Sequence, residues 1–378
     1  GVFVTDQEAG TVKGLQDLHG ATLVGSEEGA KYFHMYSPDF ATDTAYAETL
    51  GPSPFITAIM RLGPEYEKRM RRIASFYGLL ASDGPEFQRI TRNFLLENWD
   101  HFGKGIGKYL DWPVEQPIDR QRALFQLLEI MLGGVFTSEG HVGLISTMYN
   151  ELTSLLRSSR PQFIAFINEA LVGGYLRDSR RALLELLLRF VERADDFRSV
   201  LPYWDPADLR SSFPPDLAVT APRAFHELKS LYVDLYEAIA RALTLVSGIA
   251  NVQRRGNHNL YAPHPTLGKK FAPHSMAEFH RKSNAPKVAY LSDLPWLEAW
   301  LAPALDSKLR NAIGHNSSHY NPRTGTIDYR LDGTGSVRSI SYGDFLFGIL
   351  RLVRSALQMA HLIKQLYVFD HFRDVDVP

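Results

Sequence analysis

The chain has 378 residues, of which 45% are hydrophobic and 22% charged, and its formal net charge is −1. This describes a globular protein able to bury one large core or two ordinary ones, and it excludes nucleic-acid binding by overall charge, so any such contact needs a local patch. The absence of cysteine excludes disulfides, thiolate metal sites and a cysteine nucleophile, and fits an intracellular protein.

Residues 1–60 are rich in small and polar side chains and carry a Gly51-Pro52-Ser53-Pro54 break. The first six residues lack the basic and apolar pattern of a signal peptide, and an opening Gly rather than Met leaves the natural N-terminus open. From Glu65 the apolar spacing turns helical, with Met70, Ile73, Tyr77 and Leu80 three to four apart. Further helices are predicted at about 86–101, 119–133, 142–157, 161–172 and 178–196. The last carries a wide apolar stripe of Leu183, Leu184, Leu187, Leu188 and Val191, which reads as core. The run Ala182–Val191 is the longest apolar candidate, but it is broken by charge and falls short of the roughly 18–20 residues of a membrane span. No membrane association is expected.

Pro202, Pro206, Pro214, Pro215 and Pro222 mark residues 202–222 as a connection, because proline removes helical hydrogen bonds. A long helix is predicted from Pro222 to about Ala250, then a Pro- and His-containing stretch over 254–287. A segment from Leu294 to Ile313 places Leu297, Leu301, Leu305, Leu309 and Ala312 on one face, with Pro303 set to kink it or start a new helix. Residues 318–341 read as a small hairpin, with turns at 322–325 and 332–335, and a last helix covers about 342–368. The fold class is therefore mostly α. A helical region of unknown role (1–201) is joined through 202–222 to a helical bundle (223–378) with a small β-hairpin insertion.

The chemistry concentrates in Arg310-Asn311-Ala312-Ile313-Gly314-His315, at the end of an amphipathic segment. An imidazole moves protons near neutral pH, and a guanidinium holds phosphate oxygens bidentately. Asn311 and His315 are four apart and share a face if the helix persists. Gly314 predicts a helix end, beyond which His315 can fold back toward Arg310. The bland alternative is that both cations cap carbonyls at a helix C-terminus.

This stretch resembles the HEPN superfamily of helical domains, whose pattern is Arg, a polar residue, a few further residues and His. The sequel His315-Asn316-Ser317-Ser318-His319-Tyr320-Asn321-Pro322, with Gly325-Thr326-Ile327, is similar to members in which a hairpin follows the motif. The resemblance covers roughly 223–370 and leaves residues 1–200 unexplained. It implies a metal-independent endoribonuclease of bacterial toxin–antitoxin, phage-defence or RNA-processing type. It further implies His315 as acid/base, Arg310 as phosphate ligand and Asn311 as orienting group, with no cofactor and no metal. RNA, a second copy of the chain, and an antitoxin or defence-system protein are the implied partners, in the cytoplasm. One His supplies one of two proton transfers, so a homodimer is expected. The alternative within the same resemblance is a catalytically inactive RNA-binding or protein-interaction module.

A second candidate is the stretch 254–287, which holds Arg254, Arg255, Lys269, Lys270, Arg281, Lys282 and Lys287 against one acid, Glu278. Tyr261, Phe271 and Phe279 interleave with these bases, as suits stacking on single-stranded RNA. The alternative is a solvated basic loop. His258, His264 and His274 lack metal-ligand spacing, Phe102–Tyr109 lacks the signature of a phosphate loop, and Tyr66–Arg72 reads as a solvated basic surface.

Overall fold

The structure, a computed structural model, describes residues 54–208, 212–214, 217, 225–264, 267–268, 271, 273–315, 317–321, 324–330 and 335–373. The Gly51-Pro52-Ser53 break, Pro222, Lys269, Lys270, Asn316 and parts of both predicted turns lie outside the described residues. The protein is mostly α with one small antiparallel sheet, as composition and periodicity predict.

Helix α1 (Pro54–Leu62) leads into α2 (Pro64–Leu95), which starts on a proline whose missing N–H costs nothing in the first turn. The predicted helix at 86–101 is in fact the end of α2 plus the start of α3 (Trp99–Ile106). Helix α2 runs through Pro85 without stopping, and the true break comes at Glu97, whose φ of 56° is left-handed. Phe76, Phe87, Ile90 and Phe94 bury the inner face of α2. Helices α4 (Pro117–Phe136), α5 (Glu139–Ser158), α6 (Arg160–Val172) and α7 (Tyr175–Glu192) follow close to their predicted places. Ser138 caps α5 by accepting the His141 N–H at 3.3 Å.

The proline-rich connection is packed rather than free. Trp204 is wholly buried and its indole donates to the Val135 carbonyl at 3.1 Å. Arg69 and Arg72, expected at a solvated surface, donate to the Tyr203 and Trp204 carbonyls at 3.3 and 3.0 Å. One contiguous apolar core runs from Ala58 to Phe369 and includes Leu201, Trp204 and Phe213 from that stretch.

Helix α8 (Phe225–Arg255) packs along α7, and α13 (Tyr342–His371) packs on α8, α7, α4 and α5. Gly248 lets α8 approach α6, since a Cβ there would meet the Phe166 ring at 2.3 Å. By length and composition α13 could cross a membrane, but 94% of its most apolar window is buried inside the protein. Short helices α9 (Met276–Arg281) and α10 (Asn284–Lys287) lie against α8.

The predicted segment 294–313 divides at Pro303 into α11 (Pro295–Leu301), a 3-10 turn and α12 (Ser307–Gly314). The hairpin is three-stranded, because Ser318–Asn321 adds a strand before the first turn. Strands β1 (Ser318–Asn321), β2 (Thr326–Arg330) and β3 (Val337–Ser341) pair antiparallel in that order, with Tyr320 opposite Ile327 and Ile327 opposite Ile340. Ile327 and Tyr329 turn inward, and the sheet bridges α12 to α13.

Candidate functional site

Helix α12 is two turns long and is fixed at both ends. The Asp306 carboxylate accepts the N–H groups of Lys308 and Leu309 at 2.9 and 3.0 Å, and Leu309, Ala312 and Ile313 bury the inner face. The His315 N–H closes the last turn onto the Asn311 carbonyl at 2.9 Å. His315 is therefore the C-cap residue, as Gly314 suggested. Its side chain is exposed and makes no hydrogen bond among the described residues.

The other two motif residues do come together. Arg310 Nη1 donates to Asn311 Oδ1 at 2.9 Å, and a Cβ on Gly314 would sit 4.0 Å from the Arg310 guanidinium carbon. The guanidinium thus lies back along α12 toward the residue before His315. Asn311 orients the arginine; no hydrogen bond joins it to the imidazole that it was expected to hold. Arg310 also has a partner that the motif does not predict, an ion pair with Glu237 on α8. Both side chains are about a quarter exposed.

Glu237 links the motif to the second candidate. It accepts from Asn284 Nδ2 at 2.5 Å, and Asn284 Oδ1 in turn accepts from Lys287 Nζ at 2.8 Å. Lys287 is fully buried and also donates to the His280 carbonyl at 2.8 Å. Burial, together with the nearby Arg241 charge, pushes the Lys287 ammonium down to about 8 against the pull of Glu237. Burial also lowers His280, with Lys287 and Arg241 adding to the effect. Arg310 and Lys287 therefore both lie in the field of the Glu237 carboxylate, where α8, α10 and α12 meet, and Arg241 adds its charge beside Lys287. The charge pattern of 254–287 pointed to this neighbourhood, but Glu237 and Arg241 lie on α8 and had no signal in the motif.

The rest of the basic stretch is less open than its composition suggests. Arg254 and Arg255 both pair with Asp293, at 3.3 and 2.9 Å, and Lys282 pairs with Glu278 at 3.2 Å. Arg281 is exposed. The aromatic residues are not a free stacking platform. Phe271 and Phe279 are buried with Tyr290 in a small separate core, and Tyr261 stacks on Phe279 at 5.0 Å. His258 pairs with Glu169 at 2.6 Å, and His264 bonds Pro286 and Leu267, so neither joins a metal-ligand cluster. Among the described residues, Glu129, His141 and His361 are the group arranged to hold a metal ion.

A surface cavity of about 610 Å³ opens between α11 and α13, lined by Pro295, Glu298, Ala299, Ala302, Pro303 and Arg351; it contains none of the three motif residues. No family model, no curated protein and no solved structure matches the chain.

Proposed function

We propose that the chain is a metal-independent endoribonuclease of HEPN type, acting as a homodimer in the cytoplasm in a bacterial defence or toxin–antitoxin setting. The carrying observation is the end of α12. His315 is exposed there and makes no side-chain hydrogen bond among the described residues, while the Arg310 guanidinium, bonded to Asn311, passes close to Gly314, the residue before His315. In this reading a 2′-hydroxyl attacks the adjacent phosphate, His315 transfers one proton, and the partner copy's equivalent histidine transfers the other. Arg310 stabilises the added charge of the transition state. Arg281, Lys282 and the bases of α8 would draw in the RNA backbone.

The Glu237 carboxylate favours a second reading, a catalytically inactive RNA-binding or protein-interaction module. It already neutralises the guanidinium, so a phosphate must displace it before Arg310 can act.

The deciding experiment is cleavage of total RNA in EDTA by the chain and by His315→Ala. Loss of general acid–base help costs about 10²–10⁴-fold. Cleavage that leaves 2′,3′-cyclic phosphate ends and falls by that factor in the variant supports the nuclease. No cleavage by a folded, dimeric wild-type chain leaves the module.

A further inference from the structure

Far from α12 in sequence, three side chains from three helices meet inside the bundle. Glu129 comes from the middle of α4, His141 from the first turn of α5, and His361 from the buried helix α13. Their ligand atoms all lie within 4.8 Å of one another. Glu129 Oε1 is 2.6 Å from His361 Nε2 and 3.5 Å from His141 Nε2. The two imidazoles are 1% and 2% exposed, whereas the Glu129 side chain keeps 28% of its surface open.

The cluster is poorly satisfied as it stands. Neither ring nitrogen of His141 has a hydrogen-bond partner, and His361 Nδ1 has none. An unpaired buried donor or acceptor costs about 1–3 kcal/mol, and His141 Nε2, which faces Glu129 at 3.5 Å, is the one of these atoms that an ion between the three side chains would take up.

We propose that Glu129, His141 and His361 bind one divalent transition-metal ion, with zinc the best match to the donors, and that the ion staples α4 and α5 to α13. Two imidazoles and one carboxylate form a borderline-soft set that zinc accepts at about 2.0–2.2 Å. Tetrahedral geometry at that length separates ligand atoms by roughly 3.3 Å. The His141–Glu129 spacing already fits, and the shorter His361–Glu129 spacing opens by rotating Glu129, the one ligand with room to move. As it stands, His361 must donate its Nε2–H, since an ionised carboxylate only accepts. On binding, that proton moves to Nδ1, the ring stays neutral, and the Nε2 lone pair faces the ion. The fourth position is left for water on the exposed side of Glu129.

Two features limit the affinity. Neither imidazole has an outer-shell acceptor on Nδ1, a loss worth roughly 10–100-fold. Lys364, one turn along α13 from His361, lies in the field of Glu129 and holds its charge over Phe125 at 5.4 Å. It competes with the ion for the carboxylate.

The test uses the full chain, stripped with chelator and titrated with Zn²⁺ by calorimetry and with Co²⁺ by visible absorption. Glu129→Gln is near-isosteric and keeps an acceptor for His361, so it retains the fold. The wild type should take one equivalent and gain several degrees in Tm. Glu129→Gln should bind at least about tenfold more weakly and gain nothing, and Lys364→Met should bind several-fold more tightly. No binding by the wild type, or one equivalent bound equally well by Glu129→Gln and His141→Gln, would overturn the site. The staple does not rest on the nuclease reading. Chelator should lower Tm while cleavage persists below the lowered melting temperature, whereas His315→Ala should lower cleavage with Tm unchanged.

Discussion

Arg310 is the residue on which the functional reading turns, and its state is set by Glu237 rather than by its own motif. A half-open ion pair of this kind is worth about 1 kcal/mol once solvent screening is counted. Glu237→Gln should therefore free the guanidinium and tighten RNA binding about fivefold, read by fluorescence anisotropy at fixed salt. Unchanged affinity would mean that Arg310 does not meet phosphate. Lys287 makes a second, separable prediction. Its folded value of about 8 lies below its ordinary 10.5, so the unfolded chain holds more protons between the two. Stability should thus rise as pH climbs from about 8 toward 10.5, and Lys287→Met should flatten that rise in urea unfolding. Parallel pH profiles for the two proteins would refute it. The sequence exposes the motif itself, because Arg310, Asn311 and His315 are local. Glu237 was invisible, because the pairing is made by the packing of α8 on α12.

Among the elements, those with a clean 3.6-residue period were legible: α5, α6, α7, α8 and α13 lie close to where their apolar spacing puts them. The failures share a cause, in that tertiary contacts overrode local signals. The separate helix predicted from about 86 is instead continuous with α2, which runs through Pro85 with Phe76 and Phe87, on either side, both buried in the core. Strand β1 has no apolar alternation to announce it and exists because β2 offers it an edge. Close packing sets the next prediction. Gly248→Val would force a side chain into the Phe166 ring, which a Cβ alone already meets at 2.3 Å. Overpacking of this kind costs about 1–3 kcal/mol, measured as a lower urea midpoint with unchanged m-value.

Across the whole molecule, the informative residues are those that tie distant segments. Trp204 sits in a stretch that its prolines mark as a linker, yet it is buried against Phe136, Phe347 and Arg354 and bonds Val135. Trp204→Ala should cost about 3–5 kcal/mol in a single unfolding transition followed by both fluorescence and circular dichroism. Two separated transitions would show that the stretch divides the molecule after all. Composition could not reveal this, since proline breaks a helix whether or not its neighbours are packed. The His361–Glu129 contact spans 232 positions and is hidden from any local pattern for the same reason.

The burial of α13 has a consequence in time. It is the last of the described helices to leave the ribosome, yet α4, α5, α7 and α8 all close their apolar faces on it. Until it is synthesised, the faces that these helices turn to α13 stay uncovered, although α7 and α8 can already pack on each other and α4 on α2. The nascent chain carries its greatest aggregation hazard just before α13 emerges, and it is relieved of that hazard in one late step.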